Sequence, residues 1–287
     1  MSSIKQQLTN ATERLKNSSE SARLDGEVLL AFVLQKPRSH LFTWPDKSLS
    51  IAAQQQFKSL LQQRLKGHPI AHLTGEREFW SLPLKVTPHT LIPRPDSELL
   101  VEIALENLPA QARVLELGTG TGALSLALAS ERPDLQILAT DLSKTALKVA
   151  MKNAHQLAFS NITFLISDWF TNIPLQHFEL ILSNPPYIDP DDPHLNQGDL
   201  RFEPKSALVS AAQGLEDLGI IIQQATPFLA QDGRLLLEHG HQQGKQVRNL
   251  LEKSYFQNLQ TRSDLAANER VTLAFKPCHS DENTLPS

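Results

Sequence analysis

The chain has 287 residues, enough for one large domain or for a large and a small one at roughly 150 residues each. Hydrophobic residues make up 40% of it, and 12 Gly and 18 Pro are too few and too scattered for collagen-like or low-complexity sequence, so a folded chain with a sizeable core is expected. With 27 Lys+Arg against 31 Asp+Glu the formal net charge is −4, which lacks the basic excess of a general nucleic-acid binder. The longest apolar run, Val28–Leu34, falls far short of the roughly 20 residues that span a bilayer. The opening MSSIKQQLTNATERLK has no long apolar stretch of the kind a secretory signal needs, so a cytoplasmic protein with no membrane partner is expected. Cys278 is the single cysteine, which excludes an intrachain disulfide and any multi-cysteine metal site.

Up to about residue 75 the apolar spacing is helical. Ile4, Leu8, Ala11 and Leu15 share one stripe, Leu24, Val28, Leu29 and Phe32 a second, and Ile51, Phe57, Leu60, Leu61 and Leu65 a third. Ser21 is a candidate cap for the second helix, with Pro37 and Gly67 as breakers. Residues 1–75 therefore read as a small helical-bundle domain whose stripes are explained by core packing. Residues 76–93 change to short extended pieces, REFWSLPLKV and TLIP, on either side of Thr87-Pro88-His89, and read as a β-hairpin linker.

From 94 to 278, short β-rich runs alternate with amphipathic helices. RVLELG is followed by a helix from about Thr121, QILATD by a helix from Ser143, then ITFLIS and FELILS. After a long Pro-rich loop come a helix near 215–229, the strand GRLLLEH, a helix near 243–252, and strands near Phe256 and Val271. Repeated βαβ units of this kind specify an α/β fold, a parallel sheet covered by helices. The last connection, TRSDLAANE, is too short for a crossover helix, so the expected sheet has seven strands and ends in an antiparallel hairpin. Residues 279–287 are polar and read as a flexible tail.

Three segments carry chemistry. Gly118-Thr119-Gly120-Thr121-Gly122 follows a strand and opens a helix, where glycines allow close backbone approach and a helix N-terminus offers free N–H groups. Asp141 ends the next strand, where a carboxylate can accept bonds from ribose hydroxyls. Taken alone, the pair suits a dinucleotide or S-adenosylmethionine. Ser183-Asn184-Pro185-Pro186-Tyr187, after FELILS, separates the two. Its prolines fix φ and remove donors, so the turn is a rigid acceptor cradle. The Asn184 side-chain oxygen and the Pro185 carbonyl can take both N–H bonds of a planar NH₂ group, while Tyr187 offers a stacking face. Ser167-Asp168-Trp169-Phe170 adds an acceptor for an exocyclic amine and a ring to cover an adenine, although an Asp-capped turn beside a core aromatic explains it as well. Neither His68 with His72 nor His239 with His241 has a third ligand in view, so no metal is expected. Pro93-Arg94-Pro95-Asp96-Ser97-Glu98 is explained as a helix start whose acids suit the dipole, and its length and rigidity leave room for a role at the site entrance.

With these segments together, the chain resembles the release-factor glutamine N(5)-methyltransferase family (HemK/PrmC) over nearly its full length. PRPDSE at 93–98, LGTGTG at 117–122, SDWF at 167–170, SNPPYI at 183–188, RFEP at 201–204 and NERVTL at 268–273 follow the family's order and spacing, with Ser97 where Thr is more usual. The resemblance implies a Rossmann-like class I methyltransferase fold behind a helical N-terminal domain, which is expected to recognise the substrate because it carries no catalytic constellation of its own. It further implies S-adenosyl-L-methionine as cofactor, and as substrate the glutamine of the Gly-Gly-Gln motif in bacterial peptide chain release factors. By matching position, Gly118, Thr119, Gly120, Thr121 and Gly122 would line the methionine and ribose side of the cofactor, Asp141 hold the ribose hydroxyls and Trp169 cover the adenine. Asn184, Pro185, Pro186 and Tyr187 would hold the substrate amide, with Asn184 also at the cofactor. The rivals are an adenine or guanine N-methyltransferase acting on nucleic acid, an NAD-dependent oxidoreductase and a noncatalytic nucleotide-binding module. No direct nucleic-acid partner is expected, and the chain is expected to be a monomer.

Overall fold

The computed structural model describes residues 2–276; the expected tail at 279–287 and Cys278 lie outside the described residues. The chain divides into two compact units, Met1–Glu76 with Pro193–Phe202, and Arg77–Asp192 with Glu203–Ser287.

The first unit is built from helices α1 (Ile4–Leu15), α2 (Ala22–Leu34), α3 (Ser39–Thr43), α4 (Ile51–Leu65) and α5 (Ile70–Thr74). A capping box starts α1: the Ser3 hydroxyl accepts from the Gln6 backbone N–H while the Gln6 side chain accepts from that of Ser3. As the periodicity predicts, Ile4, Ala11 and Leu15 are buried. The second helix turns a different face inward from the one expected. Asp25, Gly26, Leu29 and Leu30 are buried, and Leu24 is 43% exposed. Two local causes set this rotation. A Cβ at position 26 would lie 3.2 Å from that of Ala11, so the glycine faces the close approach of α1. Asp25 in turn accepts from the Ser19 and Ser21 hydroxyls at 2.7 and 2.8 Å and from Arg64 Nε at 2.7 Å. Ser21 occupies the cap position but spends its hydroxyl on Asp25, not on the helix. In α4, Phe57 and Leu61 are buried as expected, whereas Ile51 is exposed at the first turn.

Segment 193–202 packs with this unit although it follows the Asn-Pro-Pro-Tyr turn in sequence. Arg64 Nη1 donates to Asp199 at 3.1 Å, and the Phe202 ring lies 4.4 Å from that of His68.

The second unit opens with a hairpin of β1 (Glu76–Phe79) and β2 (Leu82–Lys85). Its turn is Trp80-Ser81, both at positive φ, and not the Thr87-Pro88-His89 segment that the sequence pointed to; Leu91–Pro93 is not a strand. Two-residue turns of this kind favour Asn-Gly, so the pair carries no local signal. It is held from outside: Glu98 accepts from the Trp80 backbone N–H at 2.9 Å, and Glu131 from its indole at 2.7 Å. A 3₁₀ turn, Pro95–Ser97, leads into α6 (Glu98–Leu105).

The main sheet contains β3 (Arg113–Leu117), β4 (Gln136–Asp141), β5 (Ile162–Ile166), β6 (Phe178–Ser183), β7 (Leu229–Glu238), β8 (Gln257–Ser263) and β9 (Glu269–Phe275) in the order β5-β4-β3-β6-β7-β9-β8. Only β9 runs against its neighbours, giving the seven strands and terminal antiparallel hairpin expected. Helices α7 (Ala123–Glu131), α8 (Lys144–Gln156), the single turn α9 (Ala211–Gly214), α10 (Glu216–Ala225) and α11 (Gly244–Lys253) complete the unit. Alternate strand residues enter opposite cores: Val114, Leu180, Leu182 and Leu236 on one side, Leu115, Ile181, Leu235 and Leu237 on the other. Strands buried on both faces read as continuous apolar runs, which is why RVLELG and FELILS were visible.

Removing Arg64 leaves Asp25 buried with its two serines alone. R64A is expected to lower the stability of the helical unit by about 3 kcal/mol, and adding D25A to recover part of the loss. Chemical denaturation of the full chain, followed by far-ultraviolet circular dichroism, reads both; equal stability of R64A and the parent would refute the assignment.

Candidate functional site

The strand order reverses between β3 and β6, which both leave the sheet at the same level because Leu117 pairs with Ser183 in register. Ligands bind at such a switch point in open α/β sheets. The Ser183 hydroxyl closes the junction by donating to the Leu117 carbonyl at 2.8 Å. The glycine turn and the Asn-Pro-Pro-Tyr turn therefore start side by side.

Gly118 and Gly120 take φ of +73° and +56°, a region that L-residues avoid. The turn is fixed from its next neighbour in the sheet. Asp141 accepts the Gly120 N–H at 2.8 Å with one oxygen and the Ser143 N–H at 2.7 Å with the other, and burial raises its pKa. Asn153 of α8 accepts from the Lys85 N–H and donates to the carbonyls of Lys85 and Thr121, tying the hairpin to the turn. Beneath it, Glu116 is buried and accepts from the Thr119 hydroxyl and from both donors of Ser125; burial outweighs these bonds and pushes its pKa up to about 7.

A cavity of about 260 Å³ opens over the two turns, with Gly118, Gly120, Asp141, Trp169, Asn184 and Pro186 in its wall. Trp169 is held at positive φ, with its carbonyl accepting from the Ser167 hydroxyl at 2.8 Å; a Cβ at position 118 would come within 3.8 Å of its ring. The charged residues of the wall are Asp141, Asp168 and Asp217, with no Lys or Arg among them. A smaller chamber of about 50 Å³ shares Gly118, Gly120 and Asn184 with the first and adds Ser97, Thr119 and Thr121. Asn184 thus stands where the two meet. Its Nδ2 donates to the Ser97 hydroxyl at 3.1 Å, which leaves Oδ1 as the end free to accept.

Three of the residues singled out in the sequence stand behind the walls. Gly122, at φ +84°, caps α7 and packs on Ala150; Pro185 is buried; and Tyr187 packs on the core with its hydroxyl donating to Glu238 at 3.2 Å. The Tyr187 carbonyl accepts from Gln243 at 3.0 Å, and a Cβ at Gly214 would collide with it. Glu203, from the RFEP segment, accepts the Ile92 N–H at 2.8 Å and pairs with Arg94, which sets the edge of the smaller chamber. Ser97, Glu203, Gln243 and Glu238 were not legible as site residues. PRPDSE had a sufficient explanation in the helix dipole, and the other three act only through contacts distant in sequence.

Because Glu116 has a higher pKa folded than unfolded, its ionisation opposes folding: its contribution is most favourable in acid and is lost as pH rises through about 7. E116Q should therefore gain stability relative to the parent, by about 1 kcal/mol between pH 6 and 8. Urea titrations at both pH values check this, and a difference independent of pH contradicts it.

Residues 6–75 match the family described as the PrmC N-terminal domain, and residues 109–273 a methyltransferase domain. The release factor glutamine methyltransferase of Escherichia coli (strain K12) is 52% identical over 257 residues, 89% of this chain and 93% of that one. Its namesake from Salmonella typhimurium is 50% identical over 266 residues, 92% and 96% of the two chains. Among solved structures, a methyltransferase from Pyrococcus furiosus superposes with a TM-score of 0.54 at 17% identity, covering 77% of this chain and 99% of that one, which shows the fold. Domain content, sheet order and identity along nine-tenths of the sequence agree, and the chain belongs to the release factor glutamine methyltransferase family.

Proposed function

We infer that the protein transfers a methyl group from S-adenosyl-L-methionine to the side-chain amide nitrogen of the glutamine in the Gly-Gly-Gln motif of bacterial peptide chain release factors. The observation that carries the reading is the polarity of Asn184, whose NH₂ end is held by Ser97 while its oxygen is left to accept at the junction of two chambers.

The cofactor cavity fits a cation. Three aspartates and neither lysine nor arginine in its wall favour a sulfonium and disfavour the doubly charged pyrophosphate of a dinucleotide. Gly118 and Gly120 would take the methionine and ribose side, Asp141 the ribose hydroxyls with the lone pairs left after Gly120 and Ser143, and Trp169 the adenine face. When bound, S-adenosylmethionine supplies an electrophilic methyl group on a positively charged sulfur.

An amide nitrogen is a poor nucleophile because its lone pair is delocalised. Asn184 Oδ1 would accept one of its two N–H bonds and the main-chain carbonyl of Pro185, whose ring is buried behind the wall, the other; the two acceptors aim the lone pair and stabilise the positive charge that develops on nitrogen. The extra proton then leaves to water. Holding two reactants in this way can supply roughly 7–11 kcal/mol, so positioning is the main contribution. Residues 1–75 would recognise the body of the release factor, since one glutamine offers too little surface for selectivity. A translation-factor substrate places the enzyme in the cytoplasm, acting as a monomer without direct nucleic-acid contact; no helix among the described residues is long and apolar enough to cross a membrane.

D141A should weaken cofactor binding by about 1–3 kcal/mol in calorimetry. N184A should impair methyl transfer far more than cofactor binding, lowering kcat on release factor by at least ~10²-fold, with N184D retaining partial activity as an acceptor. N184A working at the parent rate would overturn the mechanism.

A further inference from the structure

We propose that Glu238 is a positioning residue for methyl transfer, which through Ser97 and Tyr187 fixes the end of the Asn184 amide that faces the substrate. The assignment rests on the function inferred above and deepens it.

The two ends of an asparagine amide have nearly the same shape, so packing alone does not choose between them. The choice falls to their hydrogen-bond partners. Asn184 has Ser97 on its nitrogen, but a serine hydroxyl both donates and accepts and so accommodates either end. What Ser97 does with its own proton therefore decides the orientation. Glu238 ends β7 one position beyond Leu237, the partner of Ser183, and so lies beside the Asn-Pro-Pro-Tyr turn. It is 1% exposed, and Ser97 is 5% exposed, so bulk water offers little competition. One carboxylate oxygen accepts from Tyr187 at 3.2 Å, and the other is buried without a hydrogen-bond partner; the Ser97 hydroxyl lies near enough to favour the ionised form, and we assign its proton to that open oxygen. An ionised carboxylate has no proton to give. Ser97 must donate to it, its lone pairs then face Asn184 Nδ2, and Asn184 Oδ1 is presented to the substrate. The same carboxylate fixes the Tyr187 ring by its hydroxyl.

A purely structural role does not account for this carboxylate. Arg270, whose charge acts on Glu238, is engaged by Asp264 at 2.9 Å and Asp96 at 3.4 Å. A buried acid without an ion-pair partner opposes folding, and such groups gather at functional sites. The groups facing Glu238 are Asp96 and Ser97 from the 3₁₀ turn, Tyr187 from the loop after β6 and Arg270 from β9. Next to it on its own strand, His239 is kept neutral by burial, with its Nε2 on Thr272. Burial and Asp96 outweigh Arg270 and the two hydroxyls, so that Glu238 titrates at about 7. Once protonated it can donate to Ser97, Ser97 can donate to Asn184 Oδ1, and the flipped amide then turns its NH₂ toward the substrate NH₂. Turnover should therefore fall as pH drops through about 7.

The test measures kcat with saturating cofactor and purified release factor from pH 6 to 8.5, with the cofactor Kd from calorimetry at each pH. Saturation separates Glu238 from Glu116 and Asp141, whose titration acts on cofactor binding. E238Q should lower kcat at least tenfold at pH 8, keep the parent Kd and flatten the acid limb of the profile. S97A should lose turnover in the same way and S97T recover most of it, since threonine keeps the hydroxyl. This pair keeps the test decisive if E238Q fails to bind cofactor and is therefore misfolded. E238Q with the parent kcat and pH profile, or S97A as active as S97T, would overturn the assignment while leaving the functional reading intact. A parent that methylates no release factor would overturn both.

Discussion

The site depends on one register. Leu117 of β3 faces Ser183 of β6 in the parallel ladder, and the Ser183 hydroxyl locks the pair by bonding the Leu117 carbonyl. Because these strands flank the point where strand order reverses, no crossover helix covers the gap between them, and both chains turn away from it. The glycine turn and the Asn-Pro-Pro-Tyr turn are thus set to one height by the backbone of the sheet, not by flexible side chains. A one-residue slip would move every apolar residue of β6 to the wrong core, so the register is protected by the whole hydrophobic pattern.

Around that fixed junction the protein places carboxylates with different tasks. Asp141 accepts two backbone N–H groups and keeps the glycine turn open. Glu116 lies beneath the turn with Thr119 and Ser125, and Glu238 lies behind Tyr187. The last two are buried and titrate near 7, well above an ordinary glutamate. Each opposes folding when ionised, and each sits within hydrogen-bonding reach of the turns that build the site. Rigidity at the junction is obtained at a cost in stability, which the two apolar cores of the sheet offset.

Much of this was legible in the sequence. The doubly buried strands, the antiparallel ending, the glycine turn and the Asn-Pro-Pro-Tyr turn each have a local signal in periodicity, φ demand or missing donors. What stayed hidden was decided by partners far along the chain. Asp25 turns α2 away from its apparent stripe because Arg64, in another helix, pairs with it. Trp80-Ser81 makes the hairpin turn because Glu98 and Glu131 hold the tryptophan. Segment 193–202 joins the helical unit through Asp199 and Phe202, which nothing in its own composition announces. Glu238 reads as the polar end of a strand until Tyr187 and Ser97 are seen beside it.

The central claim is that this junction directs a methyl group onto one planar amide nitrogen. Peptide mass spectrometry of purified release factor, incubated with the enzyme and S-adenosylmethionine bearing an isotopically labelled methyl group, tests it most directly. The account predicts a single labelled methyl group on the side chain of the glutamine in the Gly-Gly-Gln motif. Label on another residue, or a release factor left unlabelled while an adenine in nucleic acid takes the methyl group, would contradict it.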